Sequence, residues 1–321
     1  MTLIMKNQSR DDQTKSAIVF AVDETFVALA KGLVLSLRAL GLPDDSCDLC
    51  LIDIGCSAET QQWMTQQACR IAPLDRTPMA SAPPAGGANY MKAQICRPFI
   101  PQIFPGYSRY LYLDADTWVQ KEDSLDLLLS AARAYPDRIV LAPFVDYSYS
   151  FNYVPADQEN YLRFLTYFYE WYEASYGAAI ANQMKGRALF SSGVFAMTAA
   201  CPLWKGYADE LKTVFSRDYS RNAVALHVAE QTALNHLIYS TGAYVPIEAI
   251  HNYHCHVGAI ERDHPSGEVV VTYPPRRSVG IVHLSYSSKM MPSYLERGLL
   301  WDSGRYLSEQ ERDGLSRIGH Y

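Results

Sequence analysis

The stretch Arg109-Tyr-Leu-Tyr-Leu-Asp-Ala-Asp-Thr117 is the part of the chain that decides its fold. Its mainly apolar first half predicts a buried strand, and the strand stops where Asp114, Ala115 and Asp116 begin. In an open α/β sheet, ligands bind just outside the carboxyl ends of the strands. Because residues two apart on an extended segment point the same way, both carboxylates are expected to face one site.

Two carboxylates that face one site repel each other unless a cation lies beside them. A hard divalent ion such as Mn²⁺ or Mg²⁺ accepts carboxylate oxygens and keeps positions open for a diphosphate. An Asp-x-Asp alone is common, however, because an aspartate after a strand also caps the helix that follows. The pair is therefore a candidate metal site that needs a further ligand.

His283, in the apolar segment 279–284, is the candidate third ligand. Imidazole together with carboxylates suits manganese, although a lone histidine among apolar residues is more often a hydrogen-bonded core residue. Lys289, six residues later, could neutralise a phosphate or be an ordinary solvated lysine.

Strands and helices alternate on both sides of this stretch. Strands are predicted at 17–22, 49–54, 109–113, 139–144, 189–197, 243–247 and 279–284. Helices are predicted at 26–40, 59–70, 91–104, 124–135, 203–216 and 227–240. Prolines make the helix at 91–104 irregular, and residues 71–88, rich in Pro, Ala and Gly, predict a loop. This alternation predicts a doubly wound α/β sheet.

The composition excludes several classes of protein. The 321 residues suffice for one large α/β domain or two smaller ones, and 49% hydrophobic with 19% charged residues is a globular balance. The net charge of −6 and the lack of a basic stripe argue against a nucleic-acid partner. No apolar run approaches the roughly 20 residues of a membrane span, and residues 1–15 lack the apolar core of a secretory signal.

Seven cysteines are scattered along the chain. Cys47 and Cys50 form a C-x-x-C, but no second pair completes a zinc site, and the motif begins a predicted strand. A reduced, cytoplasmic protein is the better interpretation. The segment after Trp301 has mixed charge and gives no clear membrane anchor, so any membrane association would be peripheral.

The order of motifs from residue 17 to about 290 resembles glycosyltransferase family 8. The matching segments are Ile18-Val-Phe-Ala-Val-Asp-Glu-Thr-Phe26, Leu111-Tyr-Leu-Asp-Ala-Asp-Thr117, Phe190-Ser-Ser-Gly-Val-Phe195, Glu230-Gln-Thr-Ala-Leu-Asn235, and His283 to Lys289. The resemblance implies a GT-A fold, with a Rossmann-like mixed central sheet and helices on both faces. It implies one domain over residues 17–300, between a flexible N-terminus (1–16) and a C-terminal tail (301–321).

The resemblance also implies the reaction and its cofactor. It implies a retaining enzyme that transfers a hexose, glucose or galactose, from a UDP-sugar to an acceptor hydroxyl. Mn²⁺, or Mg²⁺, would be held by Asp114, Asp116 and His283. Gln231 would lie beneath the anomeric carbon, and Glu230 would hold hydroxyls of the donor sugar. The implied donor-site residues are Ala21, Asp23, Phe26, Arg97, Lys92, Asp114, Ala115, Ser191, Ser192 and Lys289, with Arg97 preferred to Lys92 as the basic residue at the diphosphate.

Three departures from the family pattern bear on the site. Ser191 stands where an Asn is common, Glu230 replaces an Asp, and Met290-Met291 follow Lys289 in place of Pro-Trp. Without the resemblance, Glu230 and Gln231 would be interpreted as the exposed start of an amphipathic helix.

The acceptor, a glycan, a protein or a small molecule, is the least defined part. Asp146, Tyr147 and Tyr149 follow a strand end and are the acceptor-site candidates, whereas the aromatic stripe at 161–172 is more often core. The loop 251–273 could be a lid or acceptor loop. Its four histidines, His251, His254, His256 and His264, are a weak candidate for a second zinc site.

Other functions stay open at this stage. A metal-dependent sugar-nucleotide hydrolase or a nucleotidyltransferase would also use carboxylates on a doubly wound sheet. A nucleotidyltransferase should carry a glycine-rich loop with Arg or Lys after its first strand, whereas Asp23-Glu-Thr-Phe-Val27 is acidic and lacks glycine. A non-catalytic nucleotide-sugar binding protein is the third hypothesis. Ser191 and Glu230 would support it, and the three candidate metal ligands speak against it.

Overall fold

A computed structural model describes residues 15–74, 91–146 and 168–285, apart from residues 256, 259 and 273. Its strands are β1 (Ser16–Val22), β2 (Cys47–Asp53), β3 (Cys69–Pro73), β4 (Arg109–Leu113), β5 (Thr117–Val119), β6 (Ile139–Pro143), β7 (Phe190–Thr198), β8 (Tyr244–Pro246), β9 (Tyr253–His254), β10 (Ile260–Arg262), β11 (Val269–Val271) and β12 (Ile281–His283). Its helices are α1 (Val27–Ala39), α2 (Ala58–Gln66), α3 (Met91–Ile95), α4 (Ile100–Ile103), α5 (Glu122–Ala134), α6 (Ala178–Met184), α7 (Leu203–Phe215), α8 (Ala223–His227) and α9 (Ala229–Thr241).

Residues 168–176 are also helical. Short 3-10 turns occur at Glu24–Phe26, Arg97–Phe99 and Ala249–Asn252. None of the described helices combines the length and apolarity needed to cross a membrane.

The centre of the molecule is a seven-stranded mixed sheet in the order β3-β2-β1-β4-β7-β6-β8. Strands β3, β2, β1 and β4 run parallel, and β7 lies antiparallel between β4 and β6. Along β1, Ala17, Val19 and Ala21 face one apolar cluster, while Ile18, Phe20 and Val22 face the other. Both faces of the strand are buried, which is why it is apolar throughout rather than alternating.

Helices cover both faces of this sheet. Helices α1 and α5 supply Leu33, Leu37 and Leu128 to one apolar cluster. Helices α7 and α9 supply Leu211 and Leu234 to the other. This is the layered α/β architecture that the sequence predicts.

The prediction is wrong in the segment that follows β2. Helix α2 ends at Gln66 rather than at residue 70, and β3 occupies residues that were predicted to end the helix and begin a loop. Strand β3 lies at the edge of the sheet and is partly exposed. Its mixed polar and apolar residues therefore gave no buried-strand signal. Residues 75–90 lie outside the described part.

Two predicted helices are interrupted. The segment 91–104 consists of α3, the turn Arg97–Phe99 and α4, with Pro98 in the turn and Pro101 in the first turn of α4, where proline is tolerated. The segment 227–240 is divided at Val228 between α8 and α9. Helix α9 ends at Gly242, which adopts the left-handed conformation typical of a helix C-terminus.

A second sheet, in the order β5-β12-β9, joins the end of the described chain to its middle. Strand β12 is antiparallel to β5, so that His283 lies opposite Thr117, and parallel to β9. The Leu284 N–H donates to the Asp116 carbonyl at 2.9 Å. The strand predicted at 279–284 contains β12, but β5 and β9 were not predicted because they have only three and two residues. The pairing of β12 with β5 places His283 next to Asp114 and Asp116.

Strand β2 separates the two thiols of the C-x-x-C. Cys47 belongs to one apolar cluster and Cys50 to the cluster on the opposite face of the sheet. Both are buried and free, and burial raises the pKa of each thiol to about 12. Thiols on opposite faces of a sheet cannot share a metal ion or close a disulfide without backbone movement.

Candidate functional site

Three candidate metal ligands meet at the carboxyl edge of β4. Asp114 and Asp116 lie between β4 and β5, and His283 ends β12. His283 Nε2 lies 3.3 Å from Asp116 Oδ1 and 3.9 Å from Asp114 Oδ2. One ligand atom from each residue lies within 4.8 Å of the others. Within the described ranges, no other three His, Cys, Asp or Glu side chains come together in this way.

A hydrogen bond orients the imidazole of His283. Its Nδ1 lies 2.8 Å from Asn252 Oδ1. In the tautomer that lets Nδ1 donate to this amide oxygen, the lone pair of Nε2 faces the carboxylates. Asn252 ends the 3-10 turn Ala249–Asn252 and is fully buried. Such a partner on the second imidazole nitrogen is typical of metal-binding histidines.

The same turn is tied to the end of β6. The Ala249 N–H donates to Asp146 Oδ2 at 2.6 Å. The acceptor-site candidate Asp146 thus has a partner in the turn that carries Asn252. The other two acceptor candidates, Tyr147 and Tyr149, lie outside the described residues, as does Lys289.

Gly193 makes room for the ligands. A Cβ on this residue would lie 2.5 Å from Asp114 Oδ2 and 2.5 Å from His283 Cε1. The Asp114 N–H donates to the Gly193 carbonyl at 2.7 Å, so β7 also holds the backbone of this candidate ligand. The register between β6 and β7 is irregular here, since Leu141 pairs with Phe195 but Pro143 pairs with Phe190. Such bulges are common beside functional sites because they redirect side chains.

The second oxygen of Asp114 is held by Arg97. Arg97 Nη2 lies 2.5 Å from Asp114 Oδ1, and its Nη1 donates to Ser192 Oγ at 2.7 Å and to the Glu230 carboxylate. The guanidinium carbon lies 4.9 Å from the centre of the Tyr112 ring. Arg97 itself is only 4% exposed. Its contact with Asp114 leaves Asp114 Oδ2 directed at His283.

Glu230 is the second acidic partner of Arg97. Its carboxylate also accepts from Ser192 Oγ at 2.8 Å and from the Tyr207 hydroxyl. Burial raises the pKa of Glu230 to about 7, although Arg97 and Ser192 act in the opposite direction. Burial alone would lower the pKa of Arg97, but Asp114 and Glu230 hold it well above its usual value. The alternative interpretation, an exposed helix start without a site role, does not fit Glu230, which is 1% exposed.

Asn235 fixes the first turns of α9 against β7. Its side chain accepts from the Phe190 N–H at 2.8 Å and donates to the Phe190 carbonyl at 2.8 Å. It also donates to the Gln231 carbonyl at 2.8 Å. Gln231 is half-buried in the turn that carries Glu230. This anchoring sets the position of both predicted catalytic residues.

The turn after β1 lies beside the aspartates. Val19 pairs with Tyr112, and two residues further along these parallel strands come Ala21 and Asp114. Asp23 Oδ1 accepts from the N–H groups of Thr25 at 3.0 Å and Phe26 at 3.3 Å, so it caps the turn Glu24–Phe26.

The remaining donor-site candidates are less directly connected. Phe26 and Ala115 are half-buried and pack against apolar clusters. Ser191 is buried, and its Oγ accepts from the Gly193 N–H at 3.3 Å. Lys92 is half-buried in α3, and the basic residue that contacts Asp114 is Arg97.

The described histidines of the loop 251–273 have separate partners. His251 Nδ1 lies 2.8 Å from Ser124 Oγ, and His254 Nδ1 lies 2.9 Å from Ser285 Oγ. His264 is exposed, and His256 lies outside the described residues. His254 lies near the metal-ligand candidates, with its ring centre 4.4 Å from that of His283.

Sequence reasoning missed four residues of this site. Gly193 lies inside a quoted motif, and a glycine in a buried strand is a signal of close approach. Asn252, Tyr112 and Tyr207 carry no such local signal, because their roles arise from tertiary contacts alone.

Comparison with solved structures establishes the fold. The galactosyltransferase LgtC, in complex with donor and acceptor sugar analogs, is similar over 93% of this chain and 99% of its own, with a TM-score of 0.55 and 14% identity. An active-site mutant of LgtC matches with the same coverage, a TM-score of 0.54 and 13% identity. The bifunctional glycosyltransferase WbbM, in its apo form, matches over 86% of this chain and 47% of its own, with a TM-score of 0.52 and 12% identity. The chain therefore has the GT-A fold. No protein-family model matches the chain, and no curated protein matches it in sequence.

Proposed function

We propose that the chain is a metal-dependent, retaining glycosyltransferase that transfers a hexose, glucose or galactose, from a UDP-sugar to an acceptor hydroxyl. The observation that carries the proposal is the meeting of Asp114, Asp116 and His283 within 4.8 Å at the carboxyl edge of a GT-A sheet. In open α/β sheets this edge is where ligands bind. The order of the five family motifs supports the same reaction.

The residues present fit a divalent cation. The protonated Nδ1 of His283 leaves Nε2 as a neutral ligand, and Asp114 Oδ2 and Asp116 Oδ1 face it. Two carboxylate oxygens with one imidazole favour Mn²⁺ over Mg²⁺, which prefers oxygen ligands alone. Bound there, Mn²⁺ would stabilise the negative charge that grows on the leaving UDP.

The residues of the chain prepare this site before any ligand binds. Arg97 holds Asp114 Oδ1, so the other oxygen stays directed at the metal position. Asn252 keeps the proton of His283 on Nδ1. Polar groups that their neighbours already hold in place need no reorganisation during the reaction. Such preorganisation is how an active site stabilises the charge of the transition state.

The UDP-sugar donor would lie against the carboxyl ends of the neighbouring strands β1 and β4. Asp23 and Phe26 in the turn after β1 would receive the uracil, with Ala21 and Ala115 beside them. Ser191 and Ser192 on β7 would border the donor sugar, and Lys289 would add positive charge at the diphosphate.

At the reacting carbon, the amide oxygen of Gln231 would support an oxocarbenium-like state while the acceptor hydroxyl attacks from the leaving-group side. The bond from this carbon to the UDP oxygen would break as the bond to the acceptor forms, and the departing phosphate would take up the hydroxyl proton. Glu230 would act on the site through Arg97, since its buried carboxylate already accepts from three protein groups. The acceptor, a glycan, a protein or a small molecule, would approach near Asp146, Tyr147 and Tyr149. We further propose a cytoplasmic enzyme, free or peripheral at a membrane.

The test is release of UDP from UDP-glucose and from UDP-galactose, with Mn²⁺ and with EDTA. Slow release by the wild type, abolished by EDTA and by Asp116→Ala, is expected. Asp126→Ala, which removes an exposed aspartate on α5, is the matched control and should behave as wild type. Release that accelerates with added acceptors identifies a transferase, whereas fast release that no acceptor changes identifies a hydrolase. Binding of both UDP-sugars without turnover favours a binding protein, and binding of neither contradicts the proposal.

A further inference from the structure

We propose that Tyr207 is a positioning residue of the metal centre, which acts through Glu230 and Arg97 on the ligand Asp114. This inference rests on the proposed function, because it assumes that Asp114 binds a metal. Tyr207 lies on α7, outside every motif that resembles the family. It reaches the site only through side chains that touch one another.

The position of Tyr207 follows from the close packing of α7 against α9. Its neighbour Gly206 lies so near α9 that a Cβ would come 2.9 Å from Leu237 Cδ1. This approach brings the Tyr207 hydroxyl to Glu230 Oε1, on the turn of α9 nearest the site. The Tyr207 ring is fully buried and packs edge-on against Phe195 of β7, with ring centres 6.4 Å apart. Ring and hydroxyl are both fixed.

Each following contact is direct. Glu230 Oε1 accepts from Tyr207, and Glu230 Oε2 accepts from Arg97 Nη1 and Ser192 Oγ. Arg97 Nη2 then holds Asp114 Oδ1 at 2.5 Å. The guanidinium is further restrained by the Tyr112 ring, 4.9 Å from its central carbon. Four side chains therefore connect α7 to the candidate metal site without an intervening gap.

The hydroxyl of Tyr207 decides which way the Glu230 carboxylate points. With Oε1 bonded to Tyr207, Oε2 is directed at one nitrogen of Arg97 and the second nitrogen is available to Asp114. Without that hydroxyl, Oε1 would be a buried acceptor with no partner, which is costly. The carboxylate would turn to take both Arg97 nitrogens, since carboxylates bind guanidinium groups most strongly in a bidentate way. Asp114 would then lose the contact that orients it.

The test measures metal binding directly rather than turnover. Free Mn²⁺ is quantified by electron paramagnetic resonance in the presence of UDP, for the wild type and for Tyr207→Phe. We expect Tyr207→Phe to weaken Mn²⁺ binding about three- to tenfold, less than the 10- to 100-fold typical of a direct partner of a ligand. The control is Tyr110→Phe, because Tyr110 is equally buried and its hydroxyl donates only to the Phe104 carbonyl. It should bind Mn²⁺ as the wild type does.

A double-mutant cycle separates positioning from general stability. In a Glu230→Gln background, Tyr207→Phe should change Mn²⁺ affinity by less than about twofold, because the link it acts through is already altered. A melting temperature lowered equally in Tyr207→Phe and Tyr110→Phe, with Mn²⁺ affinity unchanged in both, would show a purely structural role and overturn the inference. An effect of Tyr207→Phe that persists in full without Glu230 would also overturn it. If the wild type itself binds no Mn²⁺, the proposed function fails first.

Discussion

Gly193 has no side chain at the point where two candidate metal ligands meet. The space that a Cβ would need is taken by Asp114 Oδ2 and His283 Cε1, each 2.5 Å from that position. Neither group can move freely, because Asp114 is held by Arg97 and His283 by Asn252. A single methyl group would therefore have to displace a ligand or shift β7.

We expect Gly193→Ala to weaken Mn²⁺ binding at least about tenfold, as loss of ligand orientation usually does. Release of UDP at limiting Mn²⁺ should fall in the same proportion. The measurement is Mn²⁺ titration in the presence of UDP, with the melting temperature recorded alongside.

Gly242→Ala is the control for this substitution. Gly242 ends α9 with a φ of +67° and has open space around it, so alanine there strains the backbone by about 1 kcal/mol without touching the site. It should lower stability and leave Mn²⁺ affinity unchanged. Equal Mn²⁺ affinity in the wild type and in Gly193→Ala would contradict the role given to Gly193.

Single residues also show where sequence reasoning stops. Asp114, Asp116 and His283 could be selected because their spacing within strand-like segments is visible along the chain. Asn252 could not, since an asparagine in a loop has many uses and only the fold places it against His283. Glu230 could be selected only through the family resemblance, because helical periodicity does not reveal that α7 covers its first turn.

At the scale of elements, the junction of α9 with β7 positions the predicted catalytic residues. Asn235 makes it with two hydrogen bonds to the backbone of Phe190, and a third bond, to the Gln231 carbonyl, lies within α9. The residue is fully buried, so its loss would leave polar groups of β7 without a partner in the interior. Such groups are costly because water cannot reach them.

We expect Asn235→Ala to lower the free energy of unfolding by about 2–4 kcal/mol, from two unsatisfied buried groups and a small cavity. Urea denaturation monitored by circular dichroism measures this. Asn182→Ala removes an exposed asparagine that donates to Ala178 within α6, and it should cost less than about 0.5 kcal/mol. Similar costs for both variants would show that the junction does not carry the stability assigned to it.

The elements themselves were predictable where strands are long and buried on both faces, as in β1, β4 and β7. They were not predictable where burial is partial or the strand is short. The edge strand β3 contains Arg70 and Pro73, and β9 has only two residues. Short strands form because neighbouring strands offer hydrogen bonds, and this information is not local.

At the scale of the whole molecule, the two ends of the parallel strands differ: the carboxyl ends carry the candidate metal ligands, and the amino ends carry a cluster of ion pairs. At the edge opposite the metal-ligand candidates, Asp48 of β2 is bonded to Lys15 at 2.8 Å, Arg70 at 3.0 Å and the Tyr107 hydroxyl at 2.7 Å. Arg70 lies at the start of β3, and Lys15 and Tyr107 lie just before β1 and β4. Burial acts to raise the pKa of Asp48, but Lys15, Tyr107 and Arg70 outweigh it, and the pKa is lowered.

A lowered pKa makes the contribution of Asp48 depend on pH. The contribution is fully present above the unfolded-state pKa of about 3.9 and is lost as the pH falls through the lower folded-state pKa. We expect Asp48→Asn to be about 1–3 kcal/mol less stable than the wild type at pH 7. The difference should shrink below about pH 4.

Urea unfolding at several pH values between 3 and 7 tests this prediction. Mn²⁺ affinity at neutral pH serves as the control measurement, since Asp48 lies at the far edge of the sheet and should not affect the metal centre. A stability difference that stays constant down to pH 3 would contradict the assignment.

The pairing of β12 with β5 has a consequence for how the protein matures during synthesis. All seven strands of the central sheet are complete in the chain once Pro246 has been added, and both aspartates are present long before that. His283 leaves the ribosome only afterwards, on the last strand of the described chain. A nascent polypeptide can therefore assemble its main sheet while the aspartates still lack their imidazole partner. Under the proposed function, the cation site can be completed only after β12 has paired with β5, and a chain interrupted before β12 would lack one of the three candidate ligands.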